Sequence, residues 1–170
     1  ELEAAPFPHG LATLAVTGSC IGGHGGAIHV WKIGEGPAAH CFSNADGELL
    51  WIPTEGSVLL ATEFGRLAVA VGEIALVPRG VKLSASSPQG AAAGYLVENF
   101  GAPLQLPDLG PIGANGLAAA RDFLYPAAHC EEDRGPVEWI NKFDGGFWQT
   151  TLPSTPFDVV AWRGNYAPCK

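Results

Sequence analysis

Gly72-Glu73-Ile74-Ala75-Leu76-Val77-Pro78-Arg79-Gly80 is the stretch on which the reading of this chain turns. Ile74 to Val77 is a short β-prone run, bounded by Gly72 on one side and by Arg79-Gly80 on the other. The same pattern repeats outward in both directions. Leu11 to Val16, Ala27 to Ile33, Glu48 to Ile52, Val58 to Thr62, Leu67 to Val71 and Tyr95 to Asn99 are further β-prone runs. Turn signals separate them at Gly22-Gly23, Gly34 to Pro37, Asp46-Gly47, Glu55-Gly56 and Gly65. Short strands with frequent turns point to an all-β sandwich or barrel. Leu49 to Ile52 is apolar at every position, which marks an inner strand covered on both faces.

Composition agrees with this class. The chain has 170 residues, enough for one domain with a real core, and 47% are hydrophobic against 15% charged. Its 23 glycines and 14 prolines, spread along the length, leave little room for long helices. A net charge of -8 offers no field to gather phosphates, so nucleic acid and acidic membranes are not expected partners. No apolar run approaches the roughly 18 to 20 residues of a membrane span. Glu1-Leu2-Glu3 lacks the basic and apolar regions of a secretory signal, and without an initial Met the amino terminus is expected to be processed, trimmed or incompletely known. Cys20, Cys41, Cys130 and Cys169 contain no CxxC pair and are expected as free thiols in a reducing compartment.

Beyond Gly101 the texture changes. Pro103, Pro107 and Pro111, with several glycines, exclude a regular helix or inner strand from Gly101 to Gly116. Leu104, Leu106, Leu109, Ile112 and Leu117 make this an ordered apolar belt rather than a linker, with one short helix expected at Leu117 to Phe123. Strand texture resumes at Val137 to Phe143, Phe147 to Leu152 and Phe157 to Trp162. The expected organisation is a single domain over 1–170. Its core lies at about 10–100, an irregular belt at 101–136 and returning strands at 137–170.

The opening stretch has the form G-[DE]-x4-P-x-G and resembles the second motif of cupin barrels. In that motif the Gly-acid pair turns a hairpin, the apolar four cross the barrel, and P-x-G ends the strand. The resemblance implies a jelly-roll sandwich. Cupins usually carry a metal-binding His about three residues later, where this chain has Val81, Lys82, Leu83 and Ser84. Their first motif, H-x-H-x(3,4)-E-x6-G, would fall where Asn44 and Asp46 occupy the histidine places and Leu50 the glutamate place. A divalent ion needs about three strong ligands, so the barrel's own site is expected to hold none.

Other constellations are weaker. His24, His29 and His40 form no compact metal spacing; a metal bound by two or three of them is the lesser alternative to satisfied or exposed histidines. Gly18 to Gly26 precedes a strand, not a helix, and reads as a surface loop rather than a phosphate cradle. Glu131-Glu132-Asp133 and Asp144 are expected on a solvated face. No G-x-S-x-G elbow is present. Trp31, Trp51, Trp139, Trp148 and Trp162 are expected in the core.

Three further stretches carry a more specific resemblance. Leu106-Pro-Asp-Leu-Gly-Pro-Ile-Gly-Ala-Asn-Gly-Leu-Ala118 followed by Arg121-Asp122-Phe123-Leu124 is similar to the belt of homogentisate 1,2-dioxygenases. Asn44 to Leu50 through Thr62 to Gly65 and on to Pro78 to Gly80 is similar to that family's paired barrel strands, and Ile140 to Phe143 with Phe157 to Tyr166 completes the match in the same order. The resemblance implies an Fe(II)-dependent enzyme that opens the ring of homogentisate to maleylacetoacetate in tyrosine and phenylalanine breakdown. It further implies a cytoplasmic protein and a trimer-based homo-oligomer. Its iron would be held by two His and one carboxylate in a C-terminal region beyond Lys170. Partners implied are homogentisate or a related aryl acid, other copies of the chain, and that C-terminal part. Where the family has an active-site His, within Trp-His-Gly-Asn-Tyr, this chain has Arg163. An Arg, with a pKa above about 12, supplies positive charge but takes up no proton at neutral pH. Three readings follow for the chain alone: a domain inactive without its remainder, a non-catalytic cupin-like binding or assembly module, or an autonomous metalloenzyme using His24, His29 or His40.

Overall fold

A computed structural model describes residues 2–105, 120–130 and 135–158. Eleven strands among the described residues form two facing sheets. They are β1 (Leu11–Ser19), β2 (His24–Ile33), β3 (Cys41–Asn44), β4 (Glu48–Glu55), β5 (Ser57–Thr62) and β6 (Gly65–Ala70). After these come β7 (Ala75–Val77), β8 (Leu83–Ser86), β9 (Ala92–Asn99), β10 (Val137–Phe143) and β11 (Gly146–Leu152). One sheet has the order β1-β2-β9-β4-β7 and the other β11-β10-β3-β8-β5-β6. Among the described residues the fold is a two-sheet jelly-roll sandwich, all-β but for a 3-10 turn at Ala120–Asp122. The longer helix expected from Leu117 is therefore not formed over Phe123, and its first residues lie outside the described ones.

The opening stretch does what its turn residues allow. Gly72 takes a φ of +91°, open to glycine at little cost, and the Glu73 carboxylate accepts a hydrogen bond from the Ala70 amide at 2.8 Å. Ala75–Val77 then pairs antiparallel with β4, one residue shorter than expected because Ile74 is exposed at the turn. Past Pro78, the Gly80 amide donates to Asn44 O at 2.8 Å, tying the strand's end to the end of β3.

Strand alternation builds the core. On β2, Ala27, His29, Trp31 and Ile33 are buried while Ile28, Val30 and Lys32 are less so. Trp31 and Trp51 pack with ring centroids 5.4 Å apart, and Phe7 stands edge-on to Phe42 at 5.0 Å. Leu60, Leu83, Leu96 and Val58 complete the filling between the sheets. Trp148 departs from the expected core role: it lies on β11, an edge strand, and is 65% exposed.

Two strands have no counterpart in the sequence pattern. Cys41-Phe-Ser-Asn44 and Leu83-Ser-Ala-Ser86 are short and half polar, yet both lie inside the six-stranded sheet. Neighbouring strands, not local propensity, make them strands. β10 joins β3 in parallel, Trp139 beside Cys41 and Lys142 beside Asn44, so a strand from late in the chain is set beside an early one. That insertion positions the polar interior of the sandwich.

Candidate functional site

The polar interior lies where the two sheets meet around the end of β3. Period-two alternation turns His29 of β2 and Glu98 of β9 inward, on the faces of Trp31 and Leu96 respectively. Lys142 shares the inward face of β10 with buried Ile140. Asn44 ends β3, and Asp46 sits in the turn that follows.

Lys142 is the hub. Its Nζ donates to Glu98 Oε1 at 2.6 Å, to Glu98 Oε2 at 2.8 Å and to Asp46 Oδ2 at 3.2 Å. The ammonium also lies 5.6 Å from the centroid of the Phe100 ring. Glu98, wholly buried, receives Asn44 Nδ2 at 2.6 Å and His29 Nε2 at 3.1 Å. A carboxylate only accepts, so His29 Nε2 carries the proton, and in the neutral ring Nδ1 accepts from the Thr13 hydroxyl at 2.9 Å. Asp46 takes the amides of Asp144 at 2.7 Å and Gly145 at 2.9 Å. These two amides belong to the β10–β11 turn, where Asp144 has a φ of +52°.

Burial works against the charge on Glu98. Hydrogen bonds from His29, Lys142 and Asn44, together with the Lys142 charge, outweigh it and hold the carboxyl below its ordinary value. Glu98 is thus an anion at neutral pH, with both oxygens committed.

The expected site residues fall into different surroundings. Asn44 and Asp46, the residues at the histidine places of the cupin motif, meet in one cluster through Glu98 and Lys142, and Leu50 contributes nothing polar to it. His24 is exposed in the β1–β2 hairpin, which the Gly18 to Gly26 stretch closes. His29 belongs to the interior cluster. His40 lies apart, its Nδ1 2.5 Å from Glu138 Oε2 and its ring 5.1 Å from that of His9. Among the described residues, no group of three or more His, Cys, Asp or Glu side chains is arranged to hold a metal. Trp162, Arg163, Cys169, Glu131-Glu132-Asp133 and the greater part of the apolar belt lie outside the described residues.

The donor set fails the test for Fe(II) on chemical grounds. An ammonium within 3.2 Å of three carboxylate oxygens would repel a divalent ion at the same place, and the nearby His29 Nε2 is engaged as a donor to Glu98. Sequence reasoning missed Lys142 and Glu98. The signal was present: Glu98 shares the strand face of Leu96, and a charge at an inward strand position requires a partner.

Free thiols are seen at Cys20, Cys41 and Cys130. Burial pushes the Cys41 thiol up to about 12, with Lys82 lowering it slightly and Glu63 raising it. No helix among the described residues is long and apolar enough to cross a membrane.

Comparison with solved structures finds cupin proteins at low identity. A cupin-2 domain protein of Shewanella frigidimarina is 15% identical, covering 58% of this chain and 85% of its own, with a TM-score of 0.44. A cupin 2 conserved barrel domain protein of Leptotrichia buccalis is 12% identical over 52% of this chain and 39% of its own, at 0.45. A cupin domain of Bordetella pertussis is 16% identical over 52% and 88%, at 0.41. The family comparison is of a different order, because the model described as homogentisate 1,2-dioxygenase N-terminal matches residues 1–170, the whole length. The chain belongs to the homogentisate 1,2-dioxygenase N-terminal family.

Proposed function

We propose that this chain is the scaffolding domain of an Fe(II)-dependent dioxygenase that opens the ring of homogentisate, with the iron held by residues other than those of the jelly-roll interior. The observation that carries this reading is the family match over the full length. The interior supports its second half: the cupin-motif positions Asn44 and Asp46 serve Glu98, Lys142 and the β10–β11 turn. Fe(II) in such an enzyme would bind the aromatic substrate and dioxygen at open positions of a facial triad of two His and one carboxylate. The role of this domain is then structural. It serves the catalytic part and the neighbouring subunits of a cytoplasmic homo-oligomer as a folded support. Arg163, at the place of the family's histidine, supplies a fixed positive charge suited to a carboxylate or phenolate and cannot serve as a base.

Thermal unfolding of the 170-residue chain with and without homogentisate tests this. A scaffold that lacks the iron site is expected to show no saturable rise in midpoint with homogentisate or related aryl acids. A saturable rise would replace this reading with that of a ligand-binding module complete in itself.

A further inference from the structure

The cluster around Lys142 has a property that neither the fold nor the family match supplies. Each described carboxylate oxygen in it is engaged. Glu98 Oε1 receives Asn44 and Lys142, and Glu98 Oε2 receives His29 and Lys142. Asp46 Oδ1 receives the Asp144 amide, and Asp46 Oδ2 receives Gly145 and Lys142. Two buried carboxylates meet the Lys142 ammonium, with the other N–H donors taking up the remaining lone pairs. Glu98 and Asp46 come from separate elements, β9 and the turn between β3 and β4, and would repel one another without a positive charge between them. The cation comes from a third element, β10, 96 residues from Asp46 and 44 from Glu98 along the chain.

We infer that the interior of this jelly roll is a cation site whose resident is the Lys142 ammonium, a tethered primary amine in place of a bound ion. The geometry is that of a chelated cation, with three oxygens at 2.6, 2.8 and 3.2 Å and an aromatic face at 5.6 Å. Because the cation is part of β10, filling the site and docking the β10–β11 hairpin against β3 are one event. Removing the side chain beyond Cβ leaves a space of matching chemistry, complementary to a small primary alkylammonium: propylammonium replaces the atoms that Lys142→Ala deletes. The inference rests on these contacts and is independent of where the iron of the catalytic reading binds.

Three measurements on the full chain test it. Dialysis against a chelator should leave the wild-type unfolding midpoint unchanged; a fall would show that a metal, not Lys142, holds the interior. Lys142→Ala should lower the midpoint by about 10 °C, as expected for a buried pair broken in a domain this size. Tens of millimolar propylammonium should restore a good part of that loss, while tetramethylammonium, which has the charge but no N–H donor, should not. Equal restoration by both salts, or no loss on substitution, would overturn the inference. Because Lys142→Ala risks failing to fold, amine acetylation of the wild-type protein provides a separate check. Mass spectrometry should find Lys142 protected by roughly tenfold or more relative to Lys32, as its sequestered place among buried partners requires. Equal labelling of the two would contradict a sequestered ammonium.

Discussion

Glu98 is the residue on which the interior's pH dependence hangs. Its folded carboxyl titrates below its ordinary value of 4.5, because the hydrogen bonds from His29, Lys142 and Asn44 outweigh burial. A depressed carboxylate contributes stability that is present above the unfolded pKa and is lost as pH falls through the folded one. Urea unfolding should therefore show wild-type stability declining below about pH 4.5, and Glu98→Gln should flatten that part of the profile. At pH 7 the same substitution should cost on the order of 3 kcal/mol, since it leaves the Lys142 charge with Asp46 alone. Cys41 gives a second prediction at this scale. Its thiol, buried and pushed up to about 12, has almost no thiolate at neutral pH. Access decides the contrast: a disulfide reagent should label Cys130, which is exposed although a hydrogen bond to Asp158 raises its thiol too, and spare buried Cys41 until the chain is unfolded. Labelling of Cys41 in the native protein at the rate of Cys130 would contradict its placement.

At the scale of elements, the described part of the belt at 120–130 is held to the sandwich by a close backbone approach. The amides and carbonyls of Arg66 and Ala127 exchange hydrogen bonds at 2.8 Å in both directions. Gly65 makes room for this: its φ is +120°, and a Cβ there would overlap the Ala127 carbonyl oxygen. Gly65→Ala should cost about 2 kcal/mol from backbone strain and overlap. It should also raise the exchange rate of the Ala127 amide, which hydrogen exchange can read. Most strands were legible in sequence because alternation and glycine turns coincide, as in β2, β4 and β9. β3 and β8 were not, since Ser43, Ser84 and Ser86 break the apolar pattern and only flanking strands place them. The site was half legible. Asn44 and Asp46 were singled out by position in a motif, whereas their partners Glu98 and Lys142 are brought to them by pairings that no local pattern announces, above all the parallel register of β10 on β3.

At the scale of the whole molecule, the two sheets enclose an interior organised around its own charges, and the family to which the chain belongs is an oxidative one. These two facts are reconciled if the jelly roll is scaffold and the iron is bound elsewhere in the enzyme. An oxygen electrode tests that claim most directly, with the 170-residue chain reduced, supplied with Fe(II) and given homogentisate. The account predicts no homogentisate-dependent oxygen uptake above the protein-free rate. Uptake that scales with the concentration of the chain, and yields the ring-opened acid, would contradict it.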